Sequence, residues 1–161
     1  MKTFNDLFMH FLKDMYFAEQ SILKMLPELA AAADDGRLGA VLQGRADETR
    51  QQIARLEEAF KALDQKPEGV TCEAILGLLQ ETEDVLNDGQ GKGALQDAGL
   101  LACLQAIQHY EIARFNTLGA WARAKGLPAA SHLQGALDMA NAQHATLDDL
   151  AAAIHDSAVA A

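Results

Sequence analysis

Between Leu100 and Ala124 an apolar stripe of Leu100, Leu104, Ile107, Phe115 and Leu118 advances in helical steps, and Gln108 and Glu111 occupy its middle. Steps of three and four residues mark one buried face of a helix. A carboxylate on that face is costly to bury unless something neutralises it. Any fold open to this chain must therefore bring a partner to Glu111. The first predicted helix is interrupted in the same way. Its stripe runs Phe4, Phe8, Leu12, Met15, Ile22 and Leu26, with Glu19 in line.

The remaining elements follow from punctuation. Thr3 is placed to cap the first helix, with Asp6 in its first turn. Pro27 falls inside the pattern, as a kink or at a local bend. Asp34-Asp35-Gly36 makes a tight connection to a second helix with the stripe Leu38, Leu42, Arg45, Gln52, Leu56, Phe60 and Leu63, beside which lies Glu48. Residues 64–93 read as a crossover carrying a short helix, capped by Thr71, with Ile75, Leu78 and Leu79 on its apolar side and a glycine-rich link, 87–93, behind it. The long helix stops at Lys125-Gly126-Leu127-Pro128. The last helix shows Leu133, Leu137, Ala140, His144, Leu147, Ala151 and Ile154, and the tail 158–161 is expected to fray. Two short-looped hairpins joined by one long crossover predict a single all-α domain over residues 1–161, a ferritin-like four-helix bundle with a short extra helix in the crossover.

Composition narrows the function. With 23 acidic against 13 basic residues the net charge is -10. No basic stripe is present, so nucleic acid is not an expected partner. No apolar run approaches the roughly 20 residues that span a bilayer, so no membrane is expected either. Cys72 and Cys103 stand far apart and outside any metal-ligand spacing, which fits a reducing, cytoplasmic setting.

The polar core positions echo one another at a fixed offset of 92 residues: Glu19 with Glu111, Glu48 with Ala140, and Gln52 with His144. Glu19 lies 15 residues before Asp34 and Glu111 lies 15 before Gly126, while Glu48 and Ala140 each lie 12 after the matching turn. At about 1.5 Å per residue these positions share one level of the bundle. Glu19, Glu48, Glu111 and His144 are thus expected to converge from four helices, with Gln52 and Gln108 beside them. Such convergence is what a carboxylate-bridged metal site in a bundle needs, and oxygen and imidazole ligands suit iron or manganese. The set is short of the usual complement, because Ala140 stands where Glu48 has its counterpart.

The blocks Leu12-Lys13-Asp14-Met15-Tyr16-Phe17-Ala18-Glu19, Glu48-Thr49 ahead of Gln52, Lys66-Pro67 ahead of Thr71-Cys72-Glu73-Ala74, and His109-Tyr110-Glu111-Ile112-Ala113 resemble those of the YciF-like stress proteins. The resemblance covers nearly the whole chain. It implies a ferritin-like bundle, homodimers and distant kinship to di-iron carboxylate proteins, and the family has no established biochemical function. It also implies that Glu19, Glu48 and Glu111 match the family's carboxylates. Other positions depart: the family usually shows Glu at 108, a Glu pair at Met139-Ala140, Asp at His144 and His at Arg45.

Two readings of the polar centre therefore stand side by side. In the first, Glu19, Glu48, Glu111 and His144 hold iron or manganese, with Gln52, Gln108 and Tyr16 as supporting groups. In the second, the metal site is lost and Arg45 or Arg114 neutralises the glutamates within a dimeric stress or interaction protein. Alternatively one carboxyl is protonated, its pKa raised by burial and a like-charged neighbour. No residue pattern in the chain commits it to a reaction.

Overall fold

The computed structural model describes residues 1–88 and 93–160. These form α1 (Phe4–Ala32), α2 (Gly36–Ala62), α3 (Glu73–Asp88), α4 (Ala94–Ala124) and α5 (Ala130–Val159), with no strand among the described residues. The helices α1 and α2 pack as one hairpin and α4 and α5 as the other. The crossover helix α3 lies against α1 and α4. No helix among the described residues is long and apolar enough to cross a membrane.

Helix ends explain the hairpins. Thr3 and Asp6 form a reciprocal capping box, each side chain accepting from the other's backbone N–H. Pro27 stays inside α1 on its exposed face. Asp35 caps α2 by accepting from the N–H of Arg37 and Leu38. The end of α2 is made by Asp64, which takes the left-handed conformation (φ 56°) at the start of the predicted crossover. At the end of α4, Gly126 (φ 62°) fills that role, with Leu127 N–H donating to the Ala122 carbonyl at 2.8 Å. The expected cap Thr71 falls short, since α3 begins at Glu73. The tail expected to fray is helical as far as Val159. Of the predicted glycine-rich link, residues 89–92 lie outside the described set.

Two packing clusters lie one at each end of the bundle. Phe8, Leu12, Phe60, Phe115 and Leu133 centre one, and Leu26, Leu38, Leu42, Leu100 and Leu104 the other. The second is closed by a contact no periodicity revealed. The buried carboxylate of Asp97, in the first turn of α4, accepts from the backbone N–H of Asp34 at 2.8 Å and of Asp35 at 2.7 Å. It clasps the α1–α2 turn to the second hairpin with two charge-assisted bonds. Asp97→Ala removes both and leaves two amides short of a partner, so it should cost about 2 kcal/mol in chemical denaturation. An unchanged midpoint would show that the clasp contributes nothing.

The buried faces of α2 and α5 differ from the expected ones by one residue at alternate steps. On α5 the buried series is Leu133, Ala136, Ala140, Gln143, Leu147, Ile154, while Leu137, His144 and Ala151 are half-buried. On α2, Thr49 is buried and Glu48 only half-buried. A helix face alternates steps of three and four, and either order passes through Leu133, Ala140 and Leu147. The small side chains of Ala136 and Ala140 decide the order here, because polar groups from α2 and α4 approach the α5 backbone at those positions.

Candidate functional site

Glu111 projects from the middle of α4 into the bundle centre and is 1% exposed. Its partner is Arg45 from α2, 2% exposed. Arg45 Nη2 donates to Glu111 Oε2 at 2.6 Å, and Nη1 donates to Gln108 Oε1 at 2.5 Å. Gln108 in turn donates from Nε2 to the Ala140 carbonyl on α5 at 3.0 Å. Ala140 carries no side chain beyond Cβ, so the amide reaches the backbone. One turn along α5, Gln52 Nε2 donates to the Ala136 carbonyl at 2.9 Å.

Glu19 completes the centre from α1. It is fully buried, and neither carboxyl oxygen receives a hydrogen bond from a protein donor. Burial first, then the adjacent Glu111 charge, holds its pKa well above the usual carboxylate range, and Arg45 offsets this only in part. Both causes favour the neutral acid over the carboxylate, and a neutral carboxyl brings its own donor toward Glu111. With Arg45 positive, Glu111 negative and Glu19 neutral, the centre carries no net charge. That is the condition under which ionised groups are tolerated inside a protein.

The structure brings Glu19, Glu111 and Gln108 together around Arg45, and it places the other predicted ligands elsewhere. Glu48, half-buried, accepts from Gln143 Nε2 at 3.0 Å. His144 lies on the outer seam of α4 and α5, its ring 4.5 Å from that of His109 in an edge-to-face contact and its Nε2 3.3 Å from Asp148 on its own helix. Tyr16 does not serve Glu19, because its hydroxyl donates to Glu57 on α2 at 2.9 Å. Arg114 does not reach the glutamates either, since it lies over the Phe11 ring at 4.3 Å. Among the described residues, no three His, Cys, Asp or Glu side chains are grouped to hold a metal ion. The two-metal centre implied by distant kinship therefore does not fit these residues: a guanidinium stands between the carboxylate and the amide that would face a cation.

Besides the Asp97 clasp, two contacts escaped sequence reasoning. Gln143 was hidden by the order of steps on α5. Cys72, just before α3, places its Sγ 3.0 Å from the Tyr110 hydroxyl, and Tyr110 titrates above its ordinary range mainly because it is desolvated. Only the crossover's path over α4 could have paired them. Upstream the crossover runs close over α1, where a Cβ on Gly69 would lie 3.1 Å from the Phe17 Cβ.

These features define a class: a ferritin-like four-helix bundle whose polar centre is an internal arginine–glutamate network. Within that class the chain belongs to the family described as a domain of unknown function, DUF892, which matches residues 3–160. It is similar to protein YciF of Escherichia coli K12, 34% identical over 153 residues that cover 94% of this chain and 92% of the relative. The crystal structure of that E. coli stress protein superposes with a TM-score of 0.91 at 33% identity, covering 97% of this chain and 99% of the other. YcfI of Rhodopseudomonas palustris superposes at 0.86 with 40% identity, over 91% and 94% of the two chains.

Proposed function

We propose that this protein is a non-catalytic, homodimeric stress or interaction protein of the cytoplasm, in which Arg45 stands where a metal ion would sit between the helices. The observation that carries the reading is the Arg45 guanidinium bound at once to Glu111 and Gln108 at the bundle centre. A divalent ion needs deprotonated carboxylates on its own side of the site. Here Glu111 is engaged by a fixed cation, and burial beside Glu111 favours the neutral form of Glu19. Two buried free thiols, Cys72 and Cys103, support a reducing compartment. Kinship with a stress protein of E. coli supports the physiological setting.

Metal analysis tests the central claim. Protein purified without chelator and loaded with iron or manganese should retain less than about a tenth of an equivalent. Retention near one equivalent, lost in a Glu111→Gln variant, would replace this reading with a metal-binding one. Sedimentation should give twice the mass of a single chain, and a monomer at micromolar concentration would remove the dimer.

A further inference from the structure

The crossover helix covers only half of the groove between α1 and α4. It runs beside α4 from Tyr110, whose hydroxyl meets Cys72, back to Gly99, where an added Cβ would lie 2.8 Å from Val85 Cγ1. Past Tyr110 the groove is floored by aromatic rings and left open. Trp121 stands edge-on to Phe4, 5.4 Å between centroids, and stacks on Phe11 at 5.7 Å. Phe4 is 37% exposed. Next to this groove the outward face of α4 shows Ala102, Ala106, His109, Ala113, Asn116 and Ala120, with no Asp, Glu, Lys or Arg among them.

The charges around that face are segregated. Arg114, Arg123 and Lys125 surround its second half, Arg114 over the Phe11 ring and Lys125 over that of Phe4. None of the three forms an ion pair among the described residues. Carboxylates flank the first half. Glu81 on α3 neighbours Cys103, with exposed Glu83 and Asp84 beyond it, and Asp148 on α5 accepts from Gln105 Nε2 at 2.9 Å. With a net charge of -10, copies of this chain repel one another. They can meet where charge is absent or opposite in sign, and this face offers both.

We propose that a second copy of this chain docks here, the two α4 helices antiparallel about a two-fold axis at Ala113. Arg123 and Cys103 lie ten residues either side of Ala113, so each Arg123 comes level with the partner's Cys103 and toward the partner's Asp148. Lys125 is set toward the partner's Glu81. The partner's α3, which projects beside the first half of its own α4, comes over the open aromatic half of this groove. Alanine along the contact lets the helix axes approach to about 8 Å. From Ala102 to Ala124 the face is about 33 Å long, and with the edges of α3 and α5 it is about two helix diameters wide. That is about 700 Å² per copy, close to the roughly 800 Å² of a standard interface. The inference rests on the homodimer proposed above and names its surface.

Sedimentation equilibrium of the full chain and its charge variants tests it. Arg123→Glu opposes two carboxylates at both symmetry-related contacts, and Asp148→Lys opposes two cations there. Each variant alone should therefore dissociate about tenfold or more readily than the parent. An equimolar mixture restores opposite charges at both contacts, so native mass spectrometry should find a mixed dimer as tight as the parent's. Ala113→Arg, on the axis, should give a monomer with the parent's helical circular dichroism. Trp121 is the single tryptophan, and its emission should lie further to the blue in the dimer than in that monomer. If Ala113→Arg and both charge variants dimerise as tightly as the parent, the copies meet through another face and this proposal is overturned while the dimer stands. A mixture no tighter than its components would overturn the antiparallel register. A parent that stays monomeric would remove the second copy as occupant, and the homodimer with it.

Discussion

Replacing Arg45 with leucine should cost about 3–5 kcal/mol of stability, the usual penalty for removing one member of a buried ion pair. The loss has identifiable parts. Glu111 keeps its charge at 1% exposure and loses its cation. Glu19 is left beside an uncompensated carboxylate. Gln108 loses the donor to its side-chain oxygen. In a domain of this size the melting temperature should fall by about 10 °C or more. The double variant Arg45→Leu, Glu111→Gln removes the stranded charge and should recover much of that loss, because the penalty comes from the widowed carboxylate more than from the missing attraction. Urea denaturation of parent, single and double variants closes the cycle. An Arg45→Leu protein as stable as the parent would remove the network from any account of this fold.

The second large effect is a pH dependence that runs opposite to acid denaturation. Glu19 has a folded pKa above its unfolded value near 4.3. The native state therefore holds its proton more tightly than the unfolded chain. Stability from this group is greatest below the unfolded pKa and is lost as pH rises toward the folded one. The slope between them approaches about 1.4 kcal/mol per pH unit for one proton. Asp14, raised by burial on α1, adds a smaller change of the same sign. Glu19→Gln keeps the shape and a donor for Glu111 but carries no titrating proton. It should flatten stability against pH above about 4.5 and be more stable than the parent at neutral and alkaline pH. Denaturation midpoints of both proteins from pH 5 to 9 measure this. Parallel curves would show that folding does not raise the pKa of Glu19.

Much of the architecture was readable from residues alone. Gly126 before Pro128, the Asp34-Asp35-Gly36 turn and the long crossover separated the hairpins, since each acts through backbone geometry that neighbouring side chains do not alter. The meeting of Glu19 and Glu111 was legible because both break apolar stripes at matching distances from their turns. The outer half of the candidate site was not. Distance along a helix fixes the height of a side chain, but its direction depends on which of two adjacent residues turns inward. At 48/49 and 143/144 the polarity of the two candidates is too similar to choose between them. That choice is made across the bundle, where Ala136 and Ala140 admit the amides of Gln52 and Gln108 to the α5 backbone. Asp97 was invisible for a related reason: its partners are bare amides 62 and 63 residues away, which leave no mark on side-chain pattern.

The guanidinium at the centre has a consequence for supply. A bound ion must be imported, competed for and retained, and it can be stripped away by a chelator. Arg45 is delivered by translation, one per chain, and no scarcity of transition metals in the cell withdraws it. A bundle held together in this way keeps its shape in metal starvation and in surplus alike.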